Sequence, residues 1–229
     1  MLARRISPAL LAAILREPGP LGTQLGGSRA RCVVLFADLV GFTALSEQLS
    51  PPVLFSLLNR YFEAIAVAVI AEDGLLDKFI GDALMVEFGV PRSRGDAEEA
   101  LAAVRAALAM QVALERLNGE LRAQGQPTLR QGIGIHVGEV IAGNLGSAER
   151  LEYTVVGAAV NLASRLQGLS RHFPHCPVLI SGEVVALLPD LLEVEFFGEH
   201  RLEGLSRPIA VYGLRGLRRR AAISPAGAC

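Results

Sequence analysis

The sequence predicts an α+β fold: a ferredoxin-like βαββαβ core with extra C-terminal strands and a helix, an antiparallel sheet with helices packed on one face. Three observations predict it. Short runs rich in β-branched and aromatic residues alternate with helix-length stretches of amphipathic spacing. Two of those runs, LLDKFI and ALMVEFG, are separated only by Gly81-Asp82, which is a hairpin signature. The length of 229 residues, with 51% hydrophobic and 20% charged side chains, suits one core with short appendages.

The elements follow in chain order. Residues 1–28 read as an amphipathic helix to Arg16 and then a connector rich in Pro and Gly. The apolar start superficially resembles a signal peptide, but Arg16-Glu17-Pro18 follows it without a small-residue cleavage site. The run CVVLFADLV (32–40) is a buried strand interrupted by Asp38. Ser50 and Pro51 open a helix whose apolar residues Leu54, Leu57, Leu58, Tyr61, Phe62 and Ile65 share a face, and Gly74 stops it. A hairpin covers 75–89. Asp96 starts a long helix, with Glu98 and Glu99 set against its dipole, that frays out by Gly125-Gln126-Pro127. Residues 130–146 read as a second pair of strands, 160–170 as a helix, and PVLIS, EVEFFG and PIAVYGL as strands. The domain is expected over 29–215, with 216–229 a solvated, disordered tail. No apolar run approaches the roughly 20 residues of a membrane span.

Composition excludes several classes. Lys and Arg number 22 against 23 Asp and Glu, so no overall basic field draws nucleic acid, and any polyanion must be held by a local site. Cys32, Cys176 and Cys229 are odd in number and scattered, which fits a reducing, cytoplasmic setting rather than a disulfide framework. There is no GxxxxGK[ST] motif, and GIGIHVG opens no helix, so neither a P-loop nor a dinucleotide fingerprint is present. His136, on an otherwise apolar strand, reads as a packed histidine.

The chemistry starts at Asp38. An ionised carboxylate in a strand as apolar as VVLFADLV is costly unless it is paired or binds a cation. The βαββαβ plan sets that strand beside the hairpin, so Asp38 and Asp82 can converge on a shared hard-cation site. Oxygen donors without His or Cys favour magnesium or manganese. Two such ions can activate an attacking oxygen and stabilise charge on phosphate. Asn161 and Arg165, four residues apart on a predicted helix, lie on one face.

Four segments, FADLVGFTALSE, DKFIGDALMVEFG, GIGIHVGEVIAGNLGS and EYTVVGAAVNLASRL, in this order, resemble the class III nucleotidyl cyclase catalytic domain, most closely those of bacterial adenylyl cyclases. The resemblance covers 30–215. It implies conversion of a nucleoside triphosphate to its 3′,5′-cyclic monophosphate and pyrophosphate at the interface of a homodimer. It places two magnesium or manganese ions on Asp38 and Asp82, with Leu39 beside them, and puts Phe42, Thr43 and Arg150 at the substrate. Asn161 is then expected to orient the ribose and Arg165 to stabilise charge on the transferring phosphate. Lys78 and Thr154 occupy the positions that read the purine. A Lys donor and a Thr acceptor suit adenine, whereas guanine would want an acidic partner at Lys78. The resemblance therefore points to ATP.

One departure stands out: where such cyclases carry Lys-Gly, this chain reads Leu202-Glu203-Gly204, leaving Arg201 or Arg207 to supply charge. The N-terminal stretch resembles the connector to a sensor domain, so a signalling output domain of a longer receptor, with membrane tethering through upstream domains, is implied. A guanylyl cyclase and a non-catalytic cyclase-like nucleotide-binding regulator are the rival readings.

Overall fold

The first apolar run builds the middle of the sheet. A computed structural model describes Leu10 and residues 25–147, 149–202 and 207–218. In it β1 (Gly26–Leu39) pairs antiparallel with two partners, β3 (Ala83–Phe88) and β4 (Gln131–Gly146). The strand is longer than the run CVVLFADLV, because Gly26 to Arg31 also pair with the far half of β4. Between β1 and β2 (Leu75–Ile80) come a short helix, α1 (Phe42–Gln48), and α2 (Pro51–Ala71). Ser50 stands at the N-cap position of α2, though its side chain makes no capping hydrogen bond among the described residues, and Pro51 opens the helix. The β2–β3 hairpin closes through Gly81-Asp82, and α3 (Asp96–Ala123) leads back to β4. The sheet order β2-β3-β1-β4 is the ferredoxin-like order predicted.

Beyond the core, β5 (Leu151–Val156) pairs only with the far half of β4. After it come α4 (Ala158–Leu169), β6 (Val178–Ser181), α5 (Gly182–Leu187), β7 (Leu192–His200) and β8 (Ile209–Leu217). These extend the sheet as β4-β6-β8-β7, with β6 parallel to β4. Among the described residues the sheet has eight strands.

Two expectations change here. Residues 131–146 form one continuous strand, not a pair, because β1 pairs along nearly its whole length and leaves no turn between. The helices also cover both faces. Val33, Leu35 and Ala37 pack under α2 and α3, while Cys32, Val34 and Phe36 face the side of α4, with Ala159 and Ala163. The seat for α4 is the glycine pattern of GIGIHVG. A Cβ on Gly134 would lie 2.2 Å from the Gln167 amide nitrogen and 2.4 Å from the Ala163 carbonyl oxygen. Only a residue without a side chain lets the helix backbone approach so closely.

The apolar length of α2 also differs from the sequence expectation. At 21 residues it is long and apolar enough to cross a membrane by length and composition. Its inner face, Leu57, Tyr61, Ile65, Ala68 and Val69, is buried against the sheet, while Val53, Phe55, Val67 and Ile70 are exposed. The N-terminal helix before Leu10 and after it, Cys229, and the tail beyond Arg218 lie outside the described residues.

Gly134→Ala is expected to destabilise the protein by about 3 kcal/mol in urea unfolding, since backbone must move to admit the methyl group. An unchanged midpoint would show that α4 lifts off β4 without cost.

Candidate active site

The register of the central strands brings the two aspartates together. Ala37 pairs with Leu84, so the next residue of β1, Asp38, meets the hairpin turn that holds Asp82. Gly81 takes the left-handed conformation, φ 65°, that closes this turn. The carboxyls of Asp38 and Asp82 lie within hydrogen-bond reach of one another. Burial, first, and then the Asp82 carboxyl push the Asp38 pKa up to about 6, against weaker relief from the Leu39 amide and Arg171. Beneath them Tyr61, fully buried, donates to Gln131 Oε1 at 3.0 Å. Burial, and then the two carboxylates, raise the Tyr61 phenol pKa as well.

This donor set fits a hard divalent cation. It consists of two convergent carboxylates under mutual repulsion, and among the described residues no cluster of three or more His, Cys, Asp or Glu exists to prefer a softer metal. Magnesium typically takes one or two carboxylates and leaves its other positions to phosphate oxygens and water. Leu39, buried at the end of β1, can offer only its backbone.

A second group forms away from the aspartates. Lys78 Nζ lies 3.1 Å from Glu152 Oε2 and 3.5 Å from Asp77 Oδ1. Thr154 Oγ1, on β5, donates to Asp77 Oδ2. Arg150 Nη2 pairs with Glu152 Oε1 at 2.7 Å. Lys78, Thr154 and Arg150, singled out separately in the sequence, thus belong to one network on β2 and β5. Asn161 is exposed and Arg165 half-buried on α4, and Arg165 Nη1 is buried without a hydrogen-bond partner among the described residues. Phe42 packs partly into the core, whereas Thr43 is exposed and its carbonyl accepts from Ser46 Oγ at 2.7 Å.

Among the described residues no ion pair or hydrogen bond joins Asp38 or Asp82 to the Lys78 network, to Asn161 or to Arg165. One chain therefore carries the pieces in separate places. Arg201 and Arg207 are exposed, and Glu203 lies outside the described residues. His136 is packed as expected: it is 6% exposed, its Nδ1 is 2.8 Å from Ser181 Oγ, and burial lowers its pKa.

Sequence reasoning missed Asp77, Glu87, Glu152 and Arg171. Glu87 was open to the same argument that singled out Asp38, a carboxyl in an apolar strand. It is fully buried on β3, and burial followed by the nearby Asp77 carboxylate holds its pKa well above the usual range. Asp77 precedes Lys78 in DKFIGD, and nothing in strand alternation predicts that both face the same side.

The fold and the paired carboxylates agree with the family to which the sequence belongs. The chain belongs to the adenylate and guanylate cyclase catalytic domain family, whose match runs over residues 27–216. It is 35% identical over 199 residues to adenylate cyclase 1 of Rhizobium meliloti (strain 1021), covering 87% of this chain but 30% of that protein. The adenylate cyclase of Anabaena cylindrica is 33% identical, with 92% of this chain and 42% of that protein covered. The chain thus spans less than half the length of these relatives. Among solved structures, the adenylyl cyclase CyaB from P. aeruginosa superposes with a TM-score of 0.79 at 36% identity, over 85% of this chain and 98% of that one. The guanylyl cyclase Cya2 superposes with a TM-score of 0.79 at 34% identity, over 87% and 99%.

In the presence of a chelator, Asp38→Asn is expected to raise the melting temperature at pH 8 by roughly 2–4 °C. Asp38 has a folded pKa of about 6, above the unfolded value of about 4, so its ionised form opposes folding above pH 6. Below pH 4 both states are protonated and the gain vanishes. Melting curves from pH 4 to 8 check this, and an equal gain at every pH would show that the carboxylate pair carries no repulsion.

Proposed function

We propose that this chain is the catalytic part of an adenylyl cyclase that works as a homodimer, converting ATP to 3′,5′-cyclic AMP and pyrophosphate. The convergence of Asp38 and Asp82 carries the reading, because a buried, repelling carboxylate pair makes sense as a cation site for phosphate chemistry. Magnesium or manganese held there would supply charge neutralisation on the triphosphate and acidify the ribose 3′-hydroxyl. In the reaction the 3′-oxygen loses its proton and attacks the α-phosphorus, and the bond to the pyrophosphate breaks. The protein's part is mostly positioning and electrostatic stabilisation.

Arg165 has a buried guanidinium nitrogen without a partner among the described residues, which suits it to charge developing on the α-phosphate. Asn161, one turn away and exposed, would orient the ribose. The separation of these residues from the aspartates within one chain supports a site completed across a two-fold interface. Each subunit would lend Asp38 and Asp82 to one site and Lys78, Thr154, Asn161 and Arg165 to the other. Arg150 would extend the latter set towards the phosphates, and Phe42 and Thr43 the former. The matched relatives are longer, so we read this domain as the output of a larger signalling protein. The equal superposition on a guanylyl cyclase supports GTP as the second reading.

Turnover of ATP and GTP with magnesium or manganese tests the proposal, with ATP expected to be the better substrate. Asp38→Ala is expected to remove activity by at least about 10³-fold, and Arg165→Ala to lower kcat by about 10²–10³-fold. Activity surviving Asp38→Ala would sink the metal reading. Mixing the two inactive variants is expected to restore about a quarter of wild-type activity, since half the dimers then contain one complete site of two. No recovery on mixing would rule out the composite site.

A further inference from the structure

The β2–β3 ladder is irregular at one place. Leu76 pairs with Val86 and Lys78 with Met85, so Asp77 is an extra residue opposed by none. A regular strand would send Asp77 and Lys78 to opposite faces; the bulge lets both face β5. There the two oxygens of Asp77 divide their work. Oδ2 accepts the proton of the Thr154 hydroxyl, and Oδ1 lies 3.5 Å from Lys78 Nζ. The Asp77 side chain is 2% exposed, against 32% for Lys78, so the carboxylate lies behind both groups. Its other charged surroundings are Glu152 and Arg150 on the β5 side and the buried Glu87 on β3.

This geometry fixes the sense of each hydrogen bond. A threonine hydroxyl has one proton and two lone pairs, and without a fixed partner it can donate or accept. With its proton committed to Asp77, Thr154 Oγ1 has only lone pairs left to offer. Lys78 carries three protons and no lone pair; Asp77 and Glu152 engage two of them and leave one. The outward pattern is one donor and one acceptor, which matches N1 and the 6-amino group of adenine. Guanine in the same position meets each group with the wrong partner, its N1–H against Lys78 and its O6 against Thr154.

We propose that Asp77 is the specificity-determining positioning residue, locking Thr154 as an acceptor and Lys78 as a donor so that the site selects adenine over guanine nucleotides. This rests on the reading of Lys78 and Thr154 as the base-contacting pair. Glu87 supports it from below. Its carboxyl is fully buried beside Asp77, and burial followed by the Asp77 carboxylate raises its pKa well above the usual range, which favours a neutral neighbour there. A residue that reached the base only to hold the fold would affect both nucleotides alike. One that sets hydrogen-bond sense changes their ratio.

The test is steady-state kinetics of the full chain with ATP and with GTP. Asp77→Asn can accept or donate, so it frees the Thr154 hydroxyl to turn. The ATP-to-GTP ratio of kcat/KM is expected to fall at least tenfold, mainly through a higher KM for ATP, with kcat changed less than threefold. Thr154→Val is expected to give a similar loss, and the double variant to be no worse than either single one. Asp77→Glu and Glu87→Gln, which keep the carboxylate and the neutral neighbour respectively, retain the preference within about threefold, a margin of roughly 0.65 kcal/mol. Should Asp77→Asn lose its cooperative melt, Asp77→Ser carries the same expectation. Equal losses for ATP and GTP, or Asp77 and Thr154 effects that multiply, would overturn the inference. If the wild-type chain itself prefers GTP, or if Lys78→Ala and Thr154→Val leave the ratio unchanged, the base reading has failed first. An ATP preference that survives Asp77→Asn removes the Asp77 inference alone.

Discussion

The antiparallel register of β1 against β3 holds together two carboxylates that repel each other, and the placement of everything else follows from it. Ala37 opposite Leu84 sets Asp38 beside the turn, and a slip of one residue would point Asp38 to the other face of the sheet. The pair cannot hold the register, because its ionised form opposes folding. What holds it is apolar: Val33, Leu35 and Ala37 locked under α2 and α3, with Leu84, Val86 and Phe88 beside them. The hydrophobic core thus stores an electrostatic cost at the sheet end, which a bound cation would relieve.

The remaining groups are distributed by topology. The hairpin contributes both an aspartate in its turn and a lysine on its edge strand, but these belong to different neighbourhoods. Lys78 answers to β5, which the long β4 strand carries to it, while Asp82 answers to β1. Arg165 stands apart on α4. A single copy thereby holds two groups of polar residues that no hydrogen bond or ion pair joins among the described residues.

Much of this was legible in the residues. The hairpin turn, the start of α2 at Ser50-Pro51 and the long helix from Asp96 follow from local chemistry, and the structure has each. The carboxylate pair was legible because Asp38 is anomalous in an apolar strand. Three features were not. The continuity of β4 depends on a partner strand a hundred residues away, which periodicity does not report. The burial of α4 on the second face depends on glycines that look like turn residues when read alone. The role of Asp77 depends on a bulge, and a bulge is a property of pairing between strands rather than of either strand's sequence.

The glycine seat of α4 has a consequence for how the site could change over time. Where side chains pack between helix and sheet, each substitution alters the spacing by a fraction of an ångström, and the helix drifts. At Gly134 nothing lies between the two backbones, so their separation is set by covalent geometry and hydrogen-bond radii, which do not mutate. The height of Arg165 above the sheet is therefore calibrated by atoms common to every protein. The rest of the core can exchange its residues while the reach of that guanidinium stays the same.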